Sequence, residues 1–85
     1  MKYLYFYGDH CGPCKTFSPI MDQVSATGVP VQKINTDTQP NLVAQYGIRN
    51  IPTVILVNAQ GQELIRRSGA QPKKTLIDIY KQNLN

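Results

Sequence analysis

Hydrophobic and polar positions change their period several times along the chain, and each change marks an element. From Lys2 to Tyr7 the side chains alternate, with Tyr3, Tyr5 and Tyr7 on one side and Leu4 and Phe6 on the other. So aromatic a run favours a strand. Gly8-Asp9-His10 then turns the chain. Beyond Cys11 the spacing becomes helical: Phe17, Ile20, Met21 and Val24 form one stripe, which Cys14 extends backwards. Pro13 falls in the first turn, where backbone N–H groups lack intrahelical partners, and Pro19 falls inside the helix, where a kink is expected. Gly28 is the expected stop.

Val31 to Ile34 predicts a short second strand. Pro40 opens a helix carrying Leu42, Val43 and Tyr46, with Gly47 just past its end. Thr53 to Val57 is a continuous apolar run, the pattern of a strand buried on both faces. Asn58 to Gly61 forms a hairpin loop, so Gln62 to Arg67 returns antiparallel. After Gly69, Pro72 starts a last helix whose predicted inner face is Leu76, Ile77, Tyr80 and Leu84. The order β-α-β-α-β-β-α combines a parallel βαβ unit with a hairpin and a covering helix. A three-layer α/β fold is expected, with a four-stranded mixed sheet flanked by three helices.

Composition narrows the class. At 85 residues, 41% apolar and 16% charged, residues 1–85 are expected to form a single domain rather than a disordered chain. No apolar run approaches the length of a membrane span, and the apolar start reaches Gly8-Asp9-His10 too soon for a signal peptide. A soluble cytoplasmic protein without membrane contact is the expectation. The net charge of +4 sits wholly in residues 49–85, where six basic residues face Glu63 and Asp78. No dense basic run or aromatic interleaving marks nucleic-acid binding, so a solvated surface is expected.

The two cysteines, Cys11 and Cys14, are too close for a bridge between them to add much stability by closing a loop. They need a chemical explanation. Cys11-Gly12-Pro13-Cys14 follows a predicted strand and opens a predicted helix, which puts the two Cα atoms about 5–6 Å apart, within disulfide reach. Cys11 meets the free N–H groups and positive dipole end of the helix, which favour a thiolate. Cys14 lies one turn deeper and more shielded. This asymmetry makes Cys11 the attacking thiol and Cys14 the resolving one.

Several separated stretches make the chain resemble a thioredoxin. Cys11-Gly12-Pro13-Cys14, followed by Lys15 and Pro19, is similar to the family's active-site motif and its helix. Lys33 to Asp37 is similar to its second-strand segment, and Tyr46 to Thr53 resembles the stretch that carries its cis-proline. Gly69 fits a glycine of its substrate groove. The strand and helix that usually precede the first strand have no counterpart, a length closer to glutaredoxins or small phage-type thioredoxins. The resemblance implies a minimal thioredoxin fold and a protein-disulfide reductase without a cofactor or metal. It implies a cis Ile51–Pro52 bond and a substrate groove of Arg49, Asn50, Ile51, Pro52, Ser68 and Gly69. The backbone of Ile51 would pair there with an extended substrate segment. Partners would be disulfide-containing proteins and a reductase or glutathione-type system that restores the dithiol, and the protein would act as a monomer.

Three departures from the family pattern bear on mechanism. Tyr5 stands where a buried acid usually assists the second cysteine; a phenol is a poor proton acceptor at neutral pH. It is expected either as a core aromatic with a bonded hydroxyl or as an anchor for a water doing the acid's work. Lys33 matches the lysine that would pair with that acid. Without it, Lys33 is expected either as a bare charge near the cysteines or as a side chain reaching solvent. His10 replaces a tryptophan and is expected to be exposed beside Cys11, where its protonated form would favour the thiolate. Tyr7, which follows Tyr5 on the same strand face, is expected to keep an aromatic wall under the site.

Two other classes compete. Zinc wants four ligands, and His10 is the only histidine beside the two cysteines. A redox-independent scaffold, such as a polymerase accessory subunit, is compatible with the basic second half, though no residue requires it; loss of both thiols would spare it. Gly12-Pro13 and the missing signal peptide favour a reductant. Tyr5, His10 and Lys33, through thiolate stability, would make it somewhat less reducing than a typical thioredoxin.

Overall fold

The computed structural model describes residues 1–84. The elements are β1 (Lys2–Tyr7), α1 (Gly12–Ala26), β2 (Val31–Asn35), α2 (Pro40–Tyr46), β3 (Thr53–Val57), β4 (Glu63–Ser68) and α3 (Lys73–Gln82). This is the predicted order. The strands form one sheet in the order β2-β1-β3-β4. β1 runs parallel to β2, as a βαβ crossover demands, and antiparallel to β3, which pairs antiparallel with β4.

The alternation in β1 divides the core between the two sheet faces. Tyr3 and Tyr5 join Phe17, Met21 and Val24 of α1, Val54 and Leu56 of β3, and Leu76 and Ile79 of α3. Leu4 and Phe6 join Ile34, Ile55 and Val57 on the opposite face, packed against Leu42, Val43 and Tyr46 of α2. All five residues of β3 are buried, as its unbroken apolar run predicts. The edge strand β4 has none fully buried.

The helix and loop boundaries follow local chemistry. α1 continues through Pro19 as one element. α2 ends on Gly47 at φ +60°, a left-handed conformation glycine adopts without steric cost. The hairpin loop closes with Gly61 N–H donating to Asn58 O at 3.0 Å and Asn58 N–H to Gln62 O at 3.0 Å.

Two expectations need correction. β4 starts and ends one residue later than predicted. The inner face of α3 is Leu76 and Ile79, with Ile77 and Tyr80 half-buried and Leu84 58% exposed. The helix stops at Gln82, and Asn83 donates from Nδ2 to Ile79 O at 2.8 Å. Leu84 therefore lies beyond the stripe that its spacing suggests.

Candidate active site

The two cysteines occupy the junction of β1 and α1. Cys11 is the N-cap of α1 in extended conformation, and Pro13 sits in the first turn, where its missing N–H costs nothing. Gly12 and Pro13 are exposed. Cys11 and Cys14 form a disulfide with Cα atoms 5.2 Å apart, inside the expected range. The Cys14 N–H donates to Cys11 Sγ at 3.1 Å, so the first sulfur takes one of the orphan donors of the helix start. Exposure is 8% for Cys11 and 2% for Cys14, the order expected for an attacking and a resolving sulfur.

Tyr5 lies fully buried beneath this turn. Its Oη shares a 2.8 Å hydrogen bond with Ser18 Oγ and donates to Cys14 O at 3.4 Å. Burial pushes the Tyr5 phenol above its ordinary value, against the opposing pull of the Ser18 hydrogen bond and the Lys33 charge. Tyr5 is thus buried with its hydroxyl bonded to protein groups. Its ring packs edge-on to Phe17, centroids 5.4 Å apart, and against Tyr7 at 5.5 Å. The half-buried Tyr7 extends the aromatic layer along β1.

Of the two expectations for Lys33, the structure shows the side chain that reaches solvent. Lys33 is not a bare charge: its Nζ pairs with Asp22 Oδ1 of α1 at 2.7 Å, and both side chains are largely exposed. His10 is exposed and makes no hydrogen bond among the described residues. The turn before it is anchored by Asn35, whose Nδ2 donates to Asp9 Oδ1 at 3.1 Å.

A second segment approaches from the α2 side. The Ile51–Pro52 peptide is cis and Pro52 is buried. The Pro52 carbonyl accepts from Gly69 N–H at 2.8 Å, which ties the segment to the end of β4, where Ser68 pairs with Thr53. Gly69, at φ +83°, occupies the left-handed region. Thr53 Oγ1 donates to Asn50 O at 2.7 Å. Arg49 and Asn50 are exposed, and no backbone hydrogen bond among the described residues uses the Ile51 N–H or C=O. Gly8 lies against this segment: a Cβ there would come within 2.8 Å of Ile51 Cδ1. Beside it, Thr36, Val43, Ile48, Arg49, Asn50 and Ile51 line an open cleft of about 270 Å³.

Ser18, Asp22 and Gly8 are the site neighbours that sequence reasoning misses. Ser18 is within its reach, since it follows Cys14 by one helical turn. Asp22 and Gly8 meet their partners only through the packing of α1 on β2 and of the 48–52 segment on β1. Among the described residues, no three His, Cys, Asp or Glu side chains gather as a metal site.

The comparisons with known proteins agree with this geometry. The family profile described as Thioredoxin matches residues 2–82. A thioredoxin of Pyropia yezoensis is 42% identical over 74 residues, covering 84% of this chain and 68% of the relative. A thioredoxin of Synechocystis is 40% identical over 82 residues, covering 93% and 76%. Among solved structures, a point mutant of a thioredoxin from Halobacterium salinarum superposes with a TM-score of 0.86 at 31% identity, covering 98% of this chain and 74% of that one. Thioredoxin 1 of Thermosipho africanus does so at 0.83 and 25% identity, covering 99% and 94%. No helix among the described residues is long and apolar enough to cross a membrane. Because the likeness runs through the whole sheet and through the helix that carries the bonded cysteine pair, the chain belongs to the thioredoxin family and is a thiol–disulfide oxidoreductase that reduces protein disulfides.

Proposed function

We propose that Cys11 is the attacking thiolate and Cys14 the resolving thiol. The Cys11 thiolate attacks one sulfur of a substrate disulfide, forming a mixed disulfide and releasing the other sulfur as a thiolate, which takes up a proton. Cys14 then gives up its proton and attacks Cys11 Sγ. The bond to substrate breaks, the second substrate thiol leaves, and Cys11–Cys14 is left oxidised. Two electrons pass from dithiol to substrate, and an external reductase or low-molecular-weight thiol returns them. The observation that carries this assignment is the position of Cys11 Sγ at the helix start, accepting the Cys14 N–H, with Cys14 behind it. A negative sulfur gains most from that donor and dipole.

The substrate segment lies along Arg49, Asn50, Ile51 and Pro52, with Ser68 and Gly69 at its side, and pairs with the free backbone of Ile51. Gly12 and Pro13 leave the approach to Cys11 without bulky polar side chains, and the exposed His10 stands beside it. Tyr5 and Tyr7 are positioning residues: they support the Cys14 turn from below. Lys33 belongs to a surface pair rather than to the proton path. Residues 1–85 act as one unit and as a monomer, in the reducing cytoplasm where such a dithiol stays reduced.

The test is dithiothreitol-driven reduction of insulin, comparing the native protein with Cys11→Ser and Cys14→Ser. Turnover well above background is expected, abolished by Cys11→Ser, while Cys14→Ser accumulates a mixed disulfide on Cys11. Turnover would also show that the acid replaced by Tyr5 is dispensable. A folded native protein without turnover would point instead to a scaffold role.

A further inference from the structure

α2 is the least supported helix of the fold. It has seven residues, no side-chain N-cap hydrogen bond and no fully buried residue. A helix that short does not hold itself together in water. Its C-terminus is nonetheless the start of the 48–52 segment, so whatever fixes that end also fixes the segment. Local backbone bonds do half of this. Gly47 N–H donates to Ala44 O at 3.2 Å and Ile48 N–H to Val43 O at 3.0 Å, a Schellman arrangement that satisfies two of the last carbonyls.

The rest comes from the far edge of the sheet. The Arg66 guanidinium, on β4, donates from Nη2 to Tyr46 O and from Nη1 to Gly47 O at 3.5 Å. Glu63, on the same strand, aims it: Arg66 Nε and Nη2 meet the two carboxylate oxygens at 3.0 and 2.7 Å. The last turn of α2 contains no basic residue, and Arg66 supplies the missing cation at the negative end of the helix dipole. Tyr46 adds a second tie, its Oη donating to Gly61 O at 2.8 Å in the hairpin loop. In the strand register Arg66 stands opposite Ile55, whose side chain packs in the same cluster as Ile48 and Ile51.

We propose that Arg66, aimed by Glu63, is a positioning residue for substrate binding: it clamps the C-terminus of α2 and so sets the path of residues 48–52. The proposal rests on the reading that protein substrates dock along that segment. It separates two activities of the same cysteines. Exchange with a small disulfide needs only Cys11 and Cys14. Reduction of a protein disulfide also needs the segment in place, which the clamp provides from the opposite edge of the sheet.

The experiment compares steady-state insulin reduction with exchange toward a small soluble disulfide, 2-hydroxyethyl disulfide, for Arg66→Gln, Arg66→Lys and Arg49→Ala. Arg66→Gln is expected to raise KM for insulin about fivefold, leaving kcat and the small-disulfide rate within error. Arg66→Lys, which keeps the charge but loses the planar fork, recovers only part of the loss. Amide exchange at Gly47 and Ile48 should quicken about tenfold in Arg66→Gln, while exchange in β1 and β3 is unchanged. Because that measurement reads the folded state, a modest loss of global stability does not obscure the result. An unchanged insulin KM in Arg66→Gln, with Arg49→Ala raising it, overturns the clamp alone. If neither variant changes KM, the docking reading itself fails and the clamp falls with it.

Discussion

The two faces of the sheet are built on different principles. On one, α1 and α3 cover Tyr3 and Tyr5, with Phe17 and Met21 of α1 packed against them, and the attachment is dense aromatic and aliphatic packing. On the other, a seven-residue helix with no fully buried residue covers Leu4, Phe6 and Ile55, held at its end by hydrogen bonds from Arg66 to its last carbonyls and from Tyr46 to the hairpin loop. The cysteines open the helix of the first face, and the proposed recognition segment leaves the helix of the second. A sulfur pair that exchanges bonds at fixed geometry needs a rigid base, whereas a surface meeting varied substrates tolerates a lighter tether.

The comparison can be broken most directly by truncation. Phe17→Ala should destabilise the protein by about 3–5 kcal/mol, because it leaves a cavity in the dense face. Leu42→Ala, at a half-buried position of α2, should cost about 1 kcal/mol. Equal costs in urea unfolding would show that the two faces are equally consolidated.

Alkali sharpens the contrast. Burial pushes the Tyr3 phenol up to about 12, although the nearby Arg67 charge opposes the shift, and its hydroxyl donates to Leu76 O at 2.6 Å. The unfolded chain ionises near the ordinary tyrosine value of about 10. The folded state therefore holds its proton longer. The resulting stability is complete below pH ~10 and is lost as pH rises through 12, by about 2–3 kcal/mol over that window. Tyr3→Phe should flatten that alkaline slope, and an unchanged slope would contradict the role given to this phenol.

Acid acts on the other face with a smaller effect. The hydrogen bond from Arg66 holds the Glu63 carboxyl below its usual range. A depressed carboxylate stabilises the fold above its unfolded value, and that contribution disappears as pH falls through the folded one. Since the pair is about one-third exposed, solvent screening limits it to about 0.3 kcal/mol. Amide exchange at Ile48, referenced to β1, should reveal this loss even where global unfolding does not.

How far each part is legible follows from how local its cause is. The order of elements, the stop at Gly47 and the doubly buried β3 are set by periodicity and by single residues with special backbones, so they can be read directly. Leu84 falls outside the inner face of α3 because the end of a helix depends on competing caps, here Asn83 on Ile79 O. The roles of Lys33 and Tyr5 stay open in the sequence, since each depends on a partner from another element, Asp22 and Ser18.

By itself, then, the sequence determined that a cysteine pair opens a helix after a strand, and with it the chemistry, because spacing and helix polarity are properties of a few consecutive residues. Tertiary structure decided which charges remain free, which hydroxyl lies under Cys14, and that Arg66 reaches the end of α2. Those contacts join residues distant along the chain, and their energies depend on burial and distance that no local pattern encodes.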